Sequence, residues 1–221
     1  MQQPTPFTRR AFVAGLLATP VLAACGGGGD DDEGGADTTA GEDSSTTDTT
    51  LATTTTAPPL VAPLTGLPYA GDPAVLQRQA LIVKIDNADN GANTARPQAG
   101  FNQADIVIEE LVEGGVTRLA AVFHSADSDP VGPIRSARIT DLEYVSFFGQ
   151  PLFAWSGGNL EVAGAIRGST ALQDVGYDVL GGDAYYRASD RRSPHNLMSS
   201  TPALYAAAAG GAPPPPVLTY G

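Results

Sequence analysis

Apolar positions along this chain gather into short runs of β-type character, separated by polar stretches rich in glycine and proline. Residues 80–85 (Ala-Leu-Ile-Val-Lys-Ile) form a nearly continuous apolar run that stops at Asp86-Asn87, the pattern of a buried strand. Residues 105–112 and 116–124 are two further strand-like runs, and Glu113-Gly114-Gly115 between them has the composition of a hairpin turn. In the second run Leu119, Ala121 and Phe123 share one face. A loop covers 127–133, and Pro133 suits the first turn of a helix predicted to run to about Phe148. Residues 151–155 predict a fourth strand, 159–167 a short helix, 184–188 a fifth strand and 202–209 a helix by propensity. A hairpin excludes an all-parallel sheet. The expected fold class is therefore α/β, a mixed sheet with helices packed on it.

The first 25 residues follow another pattern. Arg9-Arg10 precedes an apolar run over 11–23, too short for a membrane span, that ends in Leu22-Ala23-Ala24-Cys25. The small residues before the cysteine resemble a bacterial lipobox, and Arg-Arg-x-Phe resembles a twin-arginine export signal. Residues 1–24 are thus expected to be a signal peptide of twin-arginine and lipoprotein type. The mature chain would begin at a lipidated Cys25, anchored to the outer face of the cytoplasmic membrane. Cys25 is the one cysteine, so the mature protein has no internal disulfide.

From Gly26 to Pro63 the chain is Gly, Asp, Glu, Thr, Ser, Ala and Pro with few aliphatic residues, too little apolar surface to offset ordering entropy. Residues 25–63 are expected to be a disordered acidic, Thr/Pro-rich tether. The domain is assigned to 64–211, and 212–221 to a Pro-rich linker that opens a further C-terminal part. The net charge is −12, with eight of the 24 acidic residues between Asp30 and Asp48. Sixteen acidic residues against ten Lys and Arg remain after residue 60, which leaves no electrostatic footprint for nucleic acid.

Candidate chemistry concentrates in Gly132-Pro-Ile-Arg-Ser-Ala-Arg138. On the predicted helix, Arg135 and Arg138 sit three apart near an N-terminus that disfavours cations, which calls for a compensating anion. A bound phosphate, pyrophosphate or carboxylate would supply it. Glu109, Glu110, Glu113 and Asp141 could supply it equally well from within. A second constellation is Arg191-Arg192-Ser193-Pro194-His195-Asn196, where neighbouring cations would keep His195 neutral and free to act as a base. Asp86-Asn-Ala-Asp-Asn-Gly91 begins like a calcium loop, but Ala88 holds the third ligand position and Pro97 the twelfth. Asp105 and Glu109, with Glu113, are the weak metal candidates. Two histidines far apart argue against zinc. No P-loop, dinucleotide fingerprint or Gly-x-Ser-x-Gly elbow is present, and no cofactor is expected.

Several ordered motifs resemble the YerB-like lipoproteins, a bacterial family built on a domain of unknown function. They are Leu64-Thr-Gly-Leu-Pro68, Ile85-Asp-Asn87, Arg96-Pro-Gln-Ala-Gly100, Gln103-Ala-Asp-Ile-Val107 and Val112-Glu-Gly-Gly-Val-Thr-Arg118, followed by Val131-Gly-Pro-Ile-Arg-Ser-Ala-Arg138 and Pro194-His-Asn-Leu197. The resemblance implies an N-terminal α/β domain, a smaller C-terminal one and no established reaction. It adds weight to Arg96, Glu113, Arg118, Arg135, Arg138 and His195, which fall in its motifs. Besides a protein–protein regulator of wall assembly, which an exposed apolar patch would favour, two functions stay open. In one, Arg96, Arg118, Arg135, Ser136, Arg138 and Asn196 bind an anionic envelope ligand, a cell-wall component or an envelope protein. In the other, an envelope hydrolase or phosphoryl-type transferase uses His195 with the arginines and Glu113.

Overall fold

The computed structural model describes residues 58–91, 93–208 and 210–218. The expected signal peptide, Cys25 and the expected tether up to residue 57 lie outside the described residues. Among the described residues nine strands and four α-helices follow in chain order: β1 (Leu81–Asp86), β2 (Asp89–Asn90), β3 (Asn93–Thr94), β4 (Ile106–Leu111), β5 (Thr117–Phe123), α1 (Asp141–Tyr144), β6 (Leu152–Ala154), α2 (Leu160–Gly168), β7 (Gln173–Asp174), α3 (Tyr177–Leu180), β8 (Tyr185–Arg187), β9 (Leu197–Ser199) and α4 (Thr201–Ala206). The main sheet has the order β4-β5-β1-β6-β7. β5 runs antiparallel to both β1 and β4, whereas β6 and β7 run parallel to β1, so the sheet is mixed. Small antiparallel pairs β2–β3 and β8–β9 stand apart from it.

β1 occupies the middle of the sheet and all six of its residues are buried. Alternation sends Leu81, Val83 and Ile85 into one apolar cluster, with Leu119, Ala121 and Phe123 of β5. Ile82 joins the opposite cluster with Ala120, Val122, Phe153 and the inner side of α2. A layer on each face explains why the run over 80–85 shows no apolar–polar alternation. The edge strand β4 does alternate, because only one of its faces is covered.

The segment expected to be a helix from Pro133 to Phe148 is non-helical in its first part, 133–138, and helical only from Asp141. Only Asp141–Tyr144 is α-helical, continued by a 3₁₀ turn over Val145–Phe148. Neighbouring strands take up its backbone groups instead. Val131 and Ser199 exchange hydrogen bonds, Gly132 N donates to Ala99 O, and Ile134 N donates to Leu197 O at 2.7 Å. Gly132 adopts φ +142 under the Met198 sulfur, and a Cβ there would meet that sulfur at 2.9 Å. Tertiary pairing therefore overrides the helical pattern.

Described residues on either side of 64–211 also pack on the domain. Val61 bridges to Pro68, and Ala62 is buried. The Pro-rich segment after Gly211 lies along the domain, with Val217 packed on the second apolar cluster. No helix among the described residues is long and apolar enough to cross a membrane.

Candidate functional site

Strand register assembles the charged end of the domain. Asp86 pairs with Arg118 across the β1–β5 ladder, and Arg118 pairs with Glu110 across β5–β4. Ladder partners share a face, so these three form one lateral row at the carboxyl end of β1. Lys84 lies two residues back on the same face. Segment 131–138 closes over the row: Asp86 N donates to Pro133 O at 2.8 Å, and Arg135 N donates to Lys84 O at 2.9 Å. These two bonds fix Arg135 beside Asp86.

Lys84 is fully buried and forms ion pairs with Glu110 and with Asp141, the latter at 2.8 Å. Burial lowers its pKa, against the raising effect of Asp141. Asp141 also accepts from Arg138 N and from the Tyr144 hydroxyl, which ties α1 to the site. Arg138 lies at the mouth, where its Nε and Nη2 donate to Glu113 Oε2 at 2.9 and 2.5 Å. That contact holds the Glu113 carboxyl below its ordinary pKa.

Arg118 differs from its neighbours. It is 8% exposed, and its Nη1 donates to Ser136 O at 2.9 Å. Among the described residues it has no carboxylate partner. Burial, then repulsion from Arg138 and Arg135, pushes its pKa down to about 10. The charges expected to neutralise the arginines are mostly engaged elsewhere. Glu110 and Asp141 serve Lys84, while Glu109 accepts from Thr117 and Asn87 on the other face of β4. Glu113 alone of the four forms an ion pair with an arginine of the cluster.

Arg135 Nε lies 2.8 Å from Asp86 Oδ2. Its N–H is not aimed at that oxygen, so the contact is an ion pair and the buried Nε makes no hydrogen bond. His195 Nδ1 approaches the same oxygen at 2.7 Å, and Ala88 N donates to Asp86 Oδ1 at 3.0 Å. A carboxylate can only accept, so Nδ1 carries the hydrogen, and in the neutral ring the lone pair lies on Nε2. Arg191 donates to the carbonyls of Ala95 and Pro97, so the cation sharing the carboxylate partner of His195 is Arg135, not a sequence neighbour.

The hairpin tip, segment 136–140 and the start of α2 enclose two adjoining cavities of about 370 and 290 Å³. Both are lined by Glu113, Arg138, Asn159 and Val162, and Ser136 lines the smaller one. Asn159 caps α2 by accepting from Val162 N at 2.8 Å, which leaves the first N–H groups of the helix without intrahelical partners. Arg138 is thus near a helix N-terminus, but it belongs to α2 and not to its own segment.

Other sequence candidates fall outside this cluster. Arg96 donates to Asn87 Oδ1 and lies 3.9 Å from Asp89. Asn196 accepts from Arg187 and secures the β8–β9 pair. Asp105 accepts from His124 N, Ser125 N and Ser125 Oγ at the far end of β4, away from Glu113. Among the described residues no three His, Cys, Asp or Glu side chains form a metal-binding group. Asp86 and Lys84 were not singled out by the sequence reading. The available signal for Lys84 was its place as the one lysine of the chain inside an apolar run.

Residues 64–212 match the family described as "Protein of unknown function (DUF3048) N-terminal domain". The chain belongs to this family. It is 36% identical over 141 residues to the Bacillus subtilis (strain 168) protein described as "Putative lipoprotein YerB", covering 64% of this chain and 40% of that protein. A crystal structure of YerB protein from Bacillus subtilis matches with TM-score 0.59 and 34% identity, over 67% of this chain and 48% of that one. The chain therefore spans less than half the length of the relatives it matches, and the family description assigns no activity.

Proposed function

We propose that this protein is a lipid-anchored envelope protein whose arginine cluster binds an anionic group, a phosphate, pyrophosphate or carboxylate, of an envelope ligand or cell-wall partner. The lipobox-like Leu22-Ala23-Ala24-Cys25 and the description of the B. subtilis relative as a lipoprotein support the anchor. The twin arginine supports export of a folded domain, with the lipid on Cys25 holding it to the outer face of the cytoplasmic membrane.

One observation carries the anion reading. Arg118 is buried, has no carboxylate partner among the described residues and is repelled by Arg135 and Arg138. An anion beside it would offset that repulsion and satisfy several donors at once. The open N–H groups of α2 add to the same field.

The test is thermal melting of the full chain with and without phosphate, pyrophosphate or acetate, repeated on Arg118→Gln. An anion at 100 times its Kd should stabilise the wild type by about 2.7 kcal/mol. That corresponds to a rise of several degrees for a domain of this size. The variant should lose the shift. Equal shifts in both proteins would refute the assignment.

A further inference from the structure

We infer that Asp86 and His195 form a proton-accepting dyad that makes the anion site hydrolytic toward phosphoric esters or anhydrides. The inference rests on the anion-binding reading above and adds a reaction to it.

The dyad joins residues 109 positions apart in sequence. Both are nearly sealed, His195 at 3% exposed and Asp86 at 2%. A buried histidine with a purely packing role has each ring nitrogen either hydrogen-bonded within the protein or sealed from solvent. His195 has neither arrangement. Nδ1 is bonded to Asp86, while Nε2 has no hydrogen-bond partner among the described residues and is absent from the sealed, unpartnered atoms, so it reaches the surface. His124 provides the internal contrast. Its Nε2 bonds to Arg78 O and its Nδ1 is sealed, which leaves it no route to a ligand.

The surroundings of Nε2 suit a phosphoryl group. Asp86 Oδ2 is shared by the imidazole and by Arg135, which places the two side chains against each other. The terminal nitrogens of Arg135 make no hydrogen bond among the described residues and are not sealed, so they remain available to an anion. The main chain fixes the geometry: Arg135 N on Lys84 O, Asp86 N on Pro133 O and Ile134 N on Leu197 O hold the arginine, aspartate and histidine segments together. A histidine whose far nitrogen is oriented by a carboxylate is a competent general base. Guanidinium groups beside it can stabilise charge developing on phosphoryl oxygens.

The step balances with water as the second reactant. The water oxygen forms a bond to phosphorus as its proton passes to His195 Nε2. The bond from phosphorus to the leaving oxygen breaks with its electron pair on that oxygen. The proton then moves from Nε2 to the leaving oxygen, and nothing is oxidised or reduced. Asp86 is a positioning residue here, because it fixes the tautomer and does not touch the phosphoryl group.

The experiment follows phosphate release by the full chain from inorganic pyrophosphate and from para-nitrophenyl phosphate, with melting shifts measured in parallel. The wild type is expected to turn over at least one of them, with a pH–rate profile that rises on an ascending limb. His195→Gln should lose about 100-fold or more in rate, in the range removal of a general base produces. It should lose the ascending limb while retaining the pyrophosphate-induced melting shift. Asp86→Asn should lower the rate and displace the limb. A wild type that binds pyrophosphate but turns over neither probe overturns the dyad and leaves the anion site standing. A wild type that binds neither probe overturns both. Turnover unchanged in His195→Gln assigns the chemistry elsewhere and also overturns the dyad.

Discussion

Replacing Lys84 by methionine isolates the buried charge network that underlies the site. Lys84 and Asp141 side chains are fully buried and Glu110 is 9% exposed. Methionine conserves much of the side-chain volume but leaves two buried carboxylates facing each other without their cation. Removing one member of a buried ion pair costs about 3–5 kcal/mol, because an uncompensated charge stays behind. A domain of this size has about 5–15 kcal/mol in all, so the variant should be folded but weakened. Its midpoint should fall by about 10 °C, at 2–4 °C per kcal/mol. Urea unfolding of the full chain at pH 7, followed by circular dichroism, should give a lower midpoint and an unchanged slope. The deficit should shrink as pH is lowered, since the two carboxylates can then share a proton. A triple variant, K84M with E110Q and D141N, should recover most of the loss. A loss below about 1 kcal/mol in K84M alone would refute the argument, since a buried charge left unpaired costs more than that.

Four other outcomes are expected, three from the structure and one from the lipobox-like sequence at Cys25. Glu113→Gln should tighten pyrophosphate binding several-fold with little change in melting, because the exposed Glu113 competes with a ligand for Arg138. Asn159→Ala should cost about 1 kcal/mol of stability through loss of the α2 cap, read by urea unfolding. Stability should fall above pH 10. Burial holds the hydroxyls of Tyr144, Tyr185 and Tyr205 above their ordinary pKa, so the folded state retains protons that the unfolded state releases. Arg118 opposes this, since its lowered value makes the unfolded state the proton-richer one. Lys84 does the same only up to its unfolded value near 10.5. The net of roughly two protons gives a slope of about 3 kcal/mol per pH unit between pH 10.5 and 12, measurable by urea titration. Cys25→Ser should shift the protein from the membrane to the soluble fraction on cell fractionation, since stable anchoring takes more than one acyl chain.

The hairpin was legible because both its signals are local: two β-rich runs and Glu113-Gly114-Gly115 between them. The strand at β1 was legible for a similar reason, its apolar run being uninterrupted save for Lys84. The stretch from Val131 to Arg135 was not, since its backbone partners lie on Ser199, Ala99, Asp86, Leu197 and Lys84, none within its own sequence window. The arginine cluster was found by an argument that the fold replaces. Arg135 and Arg138 are not on a shared helix; they meet Arg118 because β1–β5 register and an extended crossing segment bring them together. The same register hides Asp86 from a sequence reading. It looked like the end of a strand or the start of a calcium loop, and its role depends on a histidine 109 residues away. Strands β7 and β9 were missed because two- and three-residue strands leave almost no periodicity to read.

The central claim, that the arginine cluster is an anion site centred on Arg118, is tested most directly by isothermal titration of pyrophosphate into the full chain and into Arg118→Gln at two ionic strengths. One site is expected in the wild type, weakened by added salt and lost in the variant, with the variant at least as stable as the wild type in the absence of anion. Absence of binding to the wild type, or equal affinity in the variant, would contradict it.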